Sequence, residues 1–195
     1  ARIAQAGVLG EVWSPPLREI VQRGLKRSQN LYLQNLLLGV GATGTPGFSS
    51  AERRGVEALQ RLLLHIGIPP TASLIEEGSG LSRRNLVTPN ALARLLSYLA
   101  AQPYAEMLRQ ALPVAGVDGS LAGRMRHTAA EGNVHAKTGS LAHVHALAGY
   151  VTTAAGERLV FAIMLNNYQR PDGAPSAGSD VDAIAVLLAN YRGRD

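Results

Sequence analysis

Residues 137–140 read Lys-Thr-Gly-Ser and interrupt a stretch that is otherwise typical of a β-strand. A lysine on a sheet edge can bind a substrate carboxylate, and neighbouring hydroxyl groups can add hydrogen bonds. The glycine lets a substrate backbone approach closely. These residue types therefore suit a wall of a binding cleft, although a Lys-Thr-Gly triplet is also common in solvated turns.

A second polar group, Ser28-Gln29-Asn30, lies at the junction of two predicted helices and follows Lys26 and Arg27. A serine and an asparagine two residues apart can offer a hydroxyl and an amide to the same ligand. Taken alone, the same residues are more typical of a helix N-cap. A third group, residues 77–83, reads Glu-Gly-Ser-Gly-Leu-Ser-Arg and predicts a tight loop within residues 72–89, a polar segment that predicts irregular structure.

The elements that would position these groups are helices first and strands second. Cap residues and apolar periodicity predict helices that begin near Ser14, Asn30, Ser50, Thr88, Pro103 and Ser179. The helix from Asn30 is expected to end at Leu38, before two glycines. The segments 145–153 and 157–167 predict two strands joined by a hairpin at Ala154-Ala155-Gly156. The order indicates an α+β fold with an antiparallel sheet flanked by helices.

Composition excludes several classes of function. Of 195 residues, 46% are hydrophobic, which predicts one packed domain. The formal net charge is +5, but the basic residues are scattered and only 5% of residues are aromatic, so nucleic-acid binding is disfavoured. An anionic polymer such as a bacterial cell wall would also suit this charge. There is no cysteine for disulfides or thiolate catalysis, and no apolar run is long enough to span a membrane.

The three polar groups, in this order and followed by a hairpin and a terminal helix, resemble the penicillin-recognising serine enzymes. The resemblance is to the class C penicillin-binding proteins, the D-alanyl-D-alanine carboxypeptidase/endopeptidase family, and runs from about Ser14 to Tyr191. The segments that carry it are SPPLREIVQRGLKRSQN, EEGSGLSRRNLVTP, LPVAGVDGSLAGRM and HAKTGSLAHVHALAGYVTTAAGERLVFAIMLN.

The resemblance implies catalytic roles for three residues. Ser28 would relay a proton between the catalytic lysine and the leaving amine. Asn30 would bind the amide carbonyl of the substrate. Lys137 would lie beside Ser28 and supply positive potential, with Ser28 Oγ and Lys137 Nζ ~2.6–3.2 Å apart.

The resemblance also implies substrate-binding roles on the same strand. The hydroxyls of Thr138 and Ser140 would hold the terminal carboxylate of the substrate, and Gly139 would allow its backbone to approach. The backbone N–H of Ser140 would form half of an oxyanion hole. No metal or other cofactor is implied.

One motif of the resembled family is absent from this sequence. The family's nucleophile lies in a Ser-x-x-Lys motif, whereas the only lysines here are Lys26 and Lys137, and neither follows a serine by three positions. A smaller departure is Glu76-Glu77 where the family usually has aspartate. We expect this chain to be the C-terminal part of such an enzyme, inactive alone, with the nucleophile in a portion preceding Ala1.

The resemblance implies a penicillin-binding/β-lactamase-like transpeptidase fold, incomplete at the N-terminus. A helical subdomain would cover about 14–130, and the sheet with the terminal helix about 133–192. The strand 158–165 would then have an open edge. The expected location is periplasmic or extracytoplasmic. The expected partners are peptidoglycan stem peptides, β-lactams and the missing N-terminal portion, without nucleic acid or a transmembrane segment.

Two other functions remain open from the sequence. The first is a module that has lost the nucleophile and still binds cell-wall peptides without catalysis. The second is a metal hydrolase, because His143 and His145 would share one face of a strand and could bind zinc together with His135.

Overall fold

The computed structural model describes residues 7, 9–43, 49–169, 172–173 and 176–193. Short 3₁₀ turns lie at Pro70–Ala72 and Gly119–Leu121. The helices and strands, in chain order, are α1 (Leu17–Lys26), α2 (Asn30–Ala42), α3 (Ala51–His65), β1 (Ser73–Leu74), β2 (Leu86–Val87), α4 (Pro89–Ala100), α5 (Ala105–Ala111), β3 (His135–Leu141), β4 (Val144–Thr152), β5 (Arg158–Asn166) and α6 (Ala177–Asn190). In the part of the chain covered by these ranges, no helix has both the length and the apolar character that a membrane span needs.

Side-chain caps start two helices where the sequence predicts them. Ser50 Oγ accepts a hydrogen bond from the backbone N–H of Arg53, and Thr88 Oγ1 accepts one from Ala91, each at 3.2 Å. The predicted cap of α6 is wrong by three residues, because Ser176 is the N-cap and its hydroxyl accepts from the N–H of Ser179.

Helix α2 continues past the glycines that were expected to end it. A Cβ on Gly41 would overlap the carbonyl of Ala51, and a Cβ on Gly55 would overlap the carbonyl of Leu37. The two glycines therefore allow α2 and α3 to approach closely, and this packing keeps α2 helical up to Ala42.

The larger sheet has the antiparallel order β3-β4-β5, with Lys137 opposite Ala148 and Gly149 opposite Phe161. The predicted hairpin is confirmed, and its Gly156 has a φ of +84°. Within the described residues β5 pairs only with β4 and lies at the edge of this sheet. Strands β1 and β2 pair with each other in a segment where the sequence predicts irregular structure.

The two faces of the larger sheet contact different helices. On one face, Leu147, Val151 and Phe161 pack with Val181 and other residues of α6 in the main core. The opposite face carries Tyr150, whose hydroxyl donates to the carbonyl of Leu96 in α4 at 2.9 Å. Because side chains alternate along a strand, Lys137 projects towards this second face.

Candidate active site

Ser28 lies in the short turn between α1 and α2. Its φ is +53°, in the left-handed region that favours glycine. The backbone N–H of Gln29 donates to the carbonyl of Gly24 at 2.9 Å, which closes the end of α1. A serine held in this conformation stores backbone strain, and such strain is concentrated at functional sites.

Lys137, in the middle of β3, contacts Ser28 directly. Its ammonium group donates to Ser28 Oγ at 2.7 Å and to the carbonyl of Thr138 at 2.8 Å. The structure thus joins two polar groups that are 109 residues apart in sequence, at the separation predicted for them. Burial of the side chain lowers the pKa of Lys137 from 10.5. The site therefore combines a partly desolvated cation with a hydroxyl group.

The other predicted residues are close to Ser28 or Lys137 in the sequence. Asn30 is the first residue of α2, two positions after Ser28. Thr138 Oγ1 lies 2.8 Å from the hydroxyl of Ser120, and Ser140 Oγ lies 3.0 Å from His145 Nδ1. The hydroxyls of β3 are therefore already held by hydrogen bonds, which fixes their orientation.

The segment from Asp118 to Ser120 is a part of the site to which the sequence assigned no role. Asp118 Oδ2 accepts from Lys26 Nζ at 2.5 Å, and its Oδ1 accepts from the backbone N–H of Val114 at 2.9 Å. Gly119, with a φ of +58°, lies so close to the carbonyl of Lys26 that a Cβ would clash with it. This segment connects the end of α1, which precedes Ser28, to Thr138 on β3. In the sequence this segment reads Val-Asp-Gly-Ser, a combination that by itself indicates no particular chemistry.

The Gly-rich loop 77–83 connects α2 to the turn after β3. The N–H of Gly78 donates to Gln34 in α2 at 2.7 Å, and Arg83 donates to the carbonyl of Ala142 at 3.3 Å. The Glu77 carboxylate organises the loop by accepting from the backbone of Ser79, Gly80 and Ser82 and from the side chain of Asn85. Burial favours the neutral acid, but these hydrogen bonds outweigh burial and keep the pKa of Glu77 below 4.5.

The sequence matches a known family of proteins over nearly its whole length. The profile of the D-Ala-D-Ala carboxypeptidase 3 (S13) family matches residues 1–191. The chain belongs to this family. It is 40% identical over 193 residues to the D-alanyl-D-alanine carboxypeptidase of Actinomadura sp. (strain R39), and that match covers 96% of this chain and 35% of the relative. It is 35% identical over 170 residues to the D-alanyl-D-alanine carboxypeptidase DacB of Haemophilus influenzae, covering 86% of this chain and 35% of that protein.

Solved structures of S13 and related proteins have the same fold. Penicillin-binding protein 4 of Haemophilus influenzae matches with a TM-score of 0.77 at 31% identity, over 91% of this chain and 41% of that one. A class A β-lactamase from Bacteroides cellulosilyticus matches with a TM-score of 0.62 over 89% of this chain and 62% of that one, at 19% identity, which shows the fold alone. The predicted family and the penicillin-binding/β-lactamase-like α+β fold are confirmed. The chain spans about a third of the length of the two curated relatives.

The S13 fold separates the three histidines of the zinc hypothesis. His135 is paired with Tyr150, His145 is paired with Ser140 near the other end of β4, and His143 lies in the β3–β4 turn. In the described ranges, no group of three or more His, Cys, Asp or Glu residues could hold a metal ion. The arrangement on the sheet therefore does not support the histidine-ligated metal hydrolase.

His135 has a different partner. Its Nε2 lies 2.8 Å from Arg109 Nη1, and its Nδ1 lies 3.2 Å from the Arg109 carbonyl. Burial, and then the charge of Arg109, lower the pKa of His135 from 6.5. A neutral ring fits both contacts, with Nδ1–H donating to the carbonyl and Nε2 accepting from the guanidinium group.

Proposed function

We propose that this chain carries the substrate-binding and proton-relay half of a serine-type D-alanyl-D-alanine carboxypeptidase/endopeptidase that cleaves peptidoglycan stem peptides. The observation that supports it is the 2.7 Å contact between Lys137 Nζ and Ser28 Oγ. In a chain of the S13 family, this contact brings the Ser-x-Asn group and the Lys-Thr-Gly group together.

The reaction proceeds through an acyl-enzyme. A serine from a Ser-x-x-Lys segment outside this chain attacks the carbonyl carbon of the penultimate D-alanine. The amide C–N bond breaks, an ester C–O bond forms, and Ser28 passes a proton to the departing amine. Lys137 holds the Ser28 hydroxyl and stabilises negative charge nearby. Water then hydrolyses the ester and returns the free serine.

The substrate lies along β3 in this proposal. Asn30 binds the amide carbonyl on the acyl side, and the N–H of Ser140 donates to the oxyanion that forms on the attacked carbonyl. The hydroxyls of Thr138 and Ser140 bind the terminal carboxylate, and Gly139 adds no side chain that would obstruct it. β-Lactams would acylate the same serine, in keeping with the Haemophilus influenzae relative that was solved in complex with a β-lactam.

The portion that supplies the nucleophile would also complete the fold. Strand β5 contains the apolar run Leu-Val-Phe-Ala-Ile-Met-Leu and offers a free edge in the described structure. We place the N-terminal portion of the protein against this edge, because unpaired apolar strands otherwise associate with other chains. The cleft then lies between a helical subdomain of about 14–130 and a sheet subdomain of about 133–192, outside the cytoplasm where peptidoglycan is found.

Light scattering should show self-association of the isolated 195-residue chain, and a stable monomer whose β5 edge is protected from amide exchange would contradict this placement.

A non-catalytic module that binds cell-wall peptides is the second candidate. The observation that favours it is the sequence itself, in which no serine has a lysine at the third following position. Such a module would keep the cleft and release no product.

Labelling with a fluorescent penicillin distinguishes the two candidates. The isolated chain should form no covalent adduct, whereas the natural protein with its upstream sequence should be labelled and should release D-alanine from a D-Ala-D-Ala peptide. If the longer protein binds the peptide without labelling or release, the non-catalytic module is correct. A label on the isolated chain that is lost on mutation of one of its own serines would contradict the external nucleophile.

A further inference from the structure

The β3–β4 hairpin places His145 beside Ser140. A two-residue turn joins the strands, and the Leu141–Val144 pair next to this turn sets Ser140 directly opposite His145. Opposite residues of an antiparallel pair point to the same face of the sheet, where their side chains can interact. Ser140 Oγ accordingly lies 3.0 Å from His145 Nδ1.

The turn that sets this register is held by the chain that follows β5. The backbone N–H of Tyr168 donates to the carbonyl of His143 at 3.1 Å, and His143 Nδ1 lies 3.1 Å from the carbonyl of Tyr168. A slip of one residue would move His145 to the other face of the sheet. These contacts therefore keep His145 at Ser140, and a ligand would need little further ordering of the pair.

The ring of His145 can adopt either neutral tautomer, unlike that of His135. Arg109 contacts both ring nitrogens of His135 and thereby fixes which of them carries the proton. In the part of the chain that the structure describes, the ring of His145 is hydrogen-bonded only to Ser140, through Nδ1. Nδ1 can therefore donate to Ser140 Oγ or, in the other tautomer, accept the Ser140 proton.

The two tautomers leave the Ser140 hydroxyl with opposite hydrogen-bonding capacity. When Nδ1–H donates to Ser140 Oγ, the single proton of the hydroxyl is available to another acceptor. When Nδ1 carries no proton, it takes that proton and leaves Ser140 only lone pairs. Ser140 is exposed, so a ligand can reach its hydroxyl. An ionised carboxylate only accepts hydrogen bonds, and it can therefore bind Ser140 Oγ only in the first arrangement.

We propose that His145 is a positioning residue for the terminal carboxylate of the substrate: its Nδ1–H donates to Ser140 Oγ and so directs the Ser140 proton at a carboxylate oxygen. This inference rests on the proposed function, in which Ser140 binds that carboxylate. The other hydroxyl of β3, on Thr138, has a different partner, the hydroxyl of Ser120 at 2.8 Å. Histidine thus orients one of the two hydroxyls that receive the carboxylate, and serine orients the other.

The test uses the natural protein with its upstream sequence and an acyl-D-Ala-D-Ala peptide. His145→Leu removes the donor and should raise KM about 5-fold, as expected for one hydrogen bond, with kcat within about 2-fold of the wild type. His145→Asn keeps an N–H donor near the position of Nδ1 and should recover most of the loss. In a Ser140→Ala background, His145→Leu should have no further effect, because the hydroxyl that the ring orients is absent. Melting temperatures show that each variant is folded, and His145→Val replaces His145→Leu if the leucine variant is not.

His143→Asn is the matched control, because the ring of His143 lies in the same hairpin and contacts Tyr168 rather than Ser140. Asparagine tolerates the φ of +63° at this position, so KM and kcat should both be unchanged.

Three results would overturn the positioning role while the proposed function stands. They are an unchanged KM in His145→Leu, a loss that His145→Asn does not recover, and a full effect of His145→Leu in the Ser140→Ala background. A rise in KM for His143→Asn as large as that for His145→Leu would also overturn it. A wild-type protein that releases no D-alanine would overturn the proposed function, and the role of His145 with it.

Discussion

The sheet region and the helical region of this chain are packed very differently. Among the described residues, the core between the sheet and α6 contains twelve buried residues. Three of them, Leu121, Val134 and Leu147, have no exposed surface. In the same described ranges, the buried cluster of the helical region contains only Leu63, Ile68 and Ala91. The sheet region is therefore stabilised mainly by its own contacts.

The first three helices each carry an exposed leucine. Leu17 in α1, Leu31 in α2 and Leu64 in α3 are each at least 60% exposed. The candidate active site spans both regions, with Lys137 in the well-packed sheet and Ser28 in the sparsely packed helices. The geometry of the site consequently depends on the few contacts that connect the two regions.

Truncating one leucine in each region should give the largest contrast. Leu147→Ala removes a fully buried side chain of β4 and should lower the free energy of unfolding by about 2–5 kcal/mol. Leu31→Ala, at a position that is 68% exposed, should change it by less than about 0.5 kcal/mol. Urea denaturation measures both values. Equal decreases in the free energy of unfolding for the two variants would show that the two regions are packed alike.

The ion pair between Lys26 and Asp118 is one contact that connects the regions. Asp118→Asn keeps the side-chain shape but leaves the largely buried Lys26 without its counter-ion, and should cost about 1–3 kcal/mol. Amide exchange at residues 28–30 should speed up, whereas exchange in β4 should not.

Glu57→Gln serves as the control for this effect, since it removes an exposed ion pair within α3. It should cost at most about 0.5 kcal/mol and leave exchange at residues 28–30 unaltered. Faster amide exchange throughout the sheet in Asp118→Asn would mean that the ion pair stabilises the whole fold rather than only the contact between the two regions.

The contact between His135 and Arg109 should produce the smallest effect, a dependence of stability on pH. The folded state lowers the pKa of His135 below 6.5, so the unfolded state binds more protons between that lower value and 6.5. Stability should therefore fall as the pH falls through this window. The positive charges near the ring are Arg109 and Lys26, and Glu106 opposes them.

His135→Gln should make the melting temperature less dependent on pH below 6.5. His65→Gln, at an exposed position at the end of α3, should leave the dependence as in the wild type. If the melting temperature of the His135 variant depends on pH as strongly as that of the wild type, another group is responsible for the dependence.

The elements that were predicted correctly are those whose signals are local. A cap and a following proline start α4 at Pro89, and a glycine closes the β4–β5 hairpin at Gly156. The incorrect predictions depend on tertiary contacts. Gly41 continues α2 because α3 packs against it, and the two short strands β1 and β2 exist only as a pair.

In the candidate site, too, residues in local motifs were predicted and residues that act through tertiary contacts were not. Ser28 and Lys137 were identifiable from short motifs, and the structure brings them together. Ser120 was not identifiable, because its relevance lies in a hydrogen bond to Thr138 that no local pattern encodes. The likeness to the S13 family could indicate which residues meet, but it could not show what holds them in place.

The rate of D-alanine release by the natural protein, with its upstream sequence, tests the central claim most directly when Ser28→Ala and Lys137→Ala are compared with the wild type. Each variant should lower kcat by about 100-fold or more with an unchanged melting temperature, because in the proposed mechanism proton relay through this contact contributes to the transition state. Because burial lowers the pKa of Lys137, the alkaline decline of the wild-type rate should begin below pH 10.5. If both variants keep the rate within about 3-fold of the wild type, well below the loss expected for a proton relay, the contact between Ser28 and Lys137 is not part of the catalytic machinery.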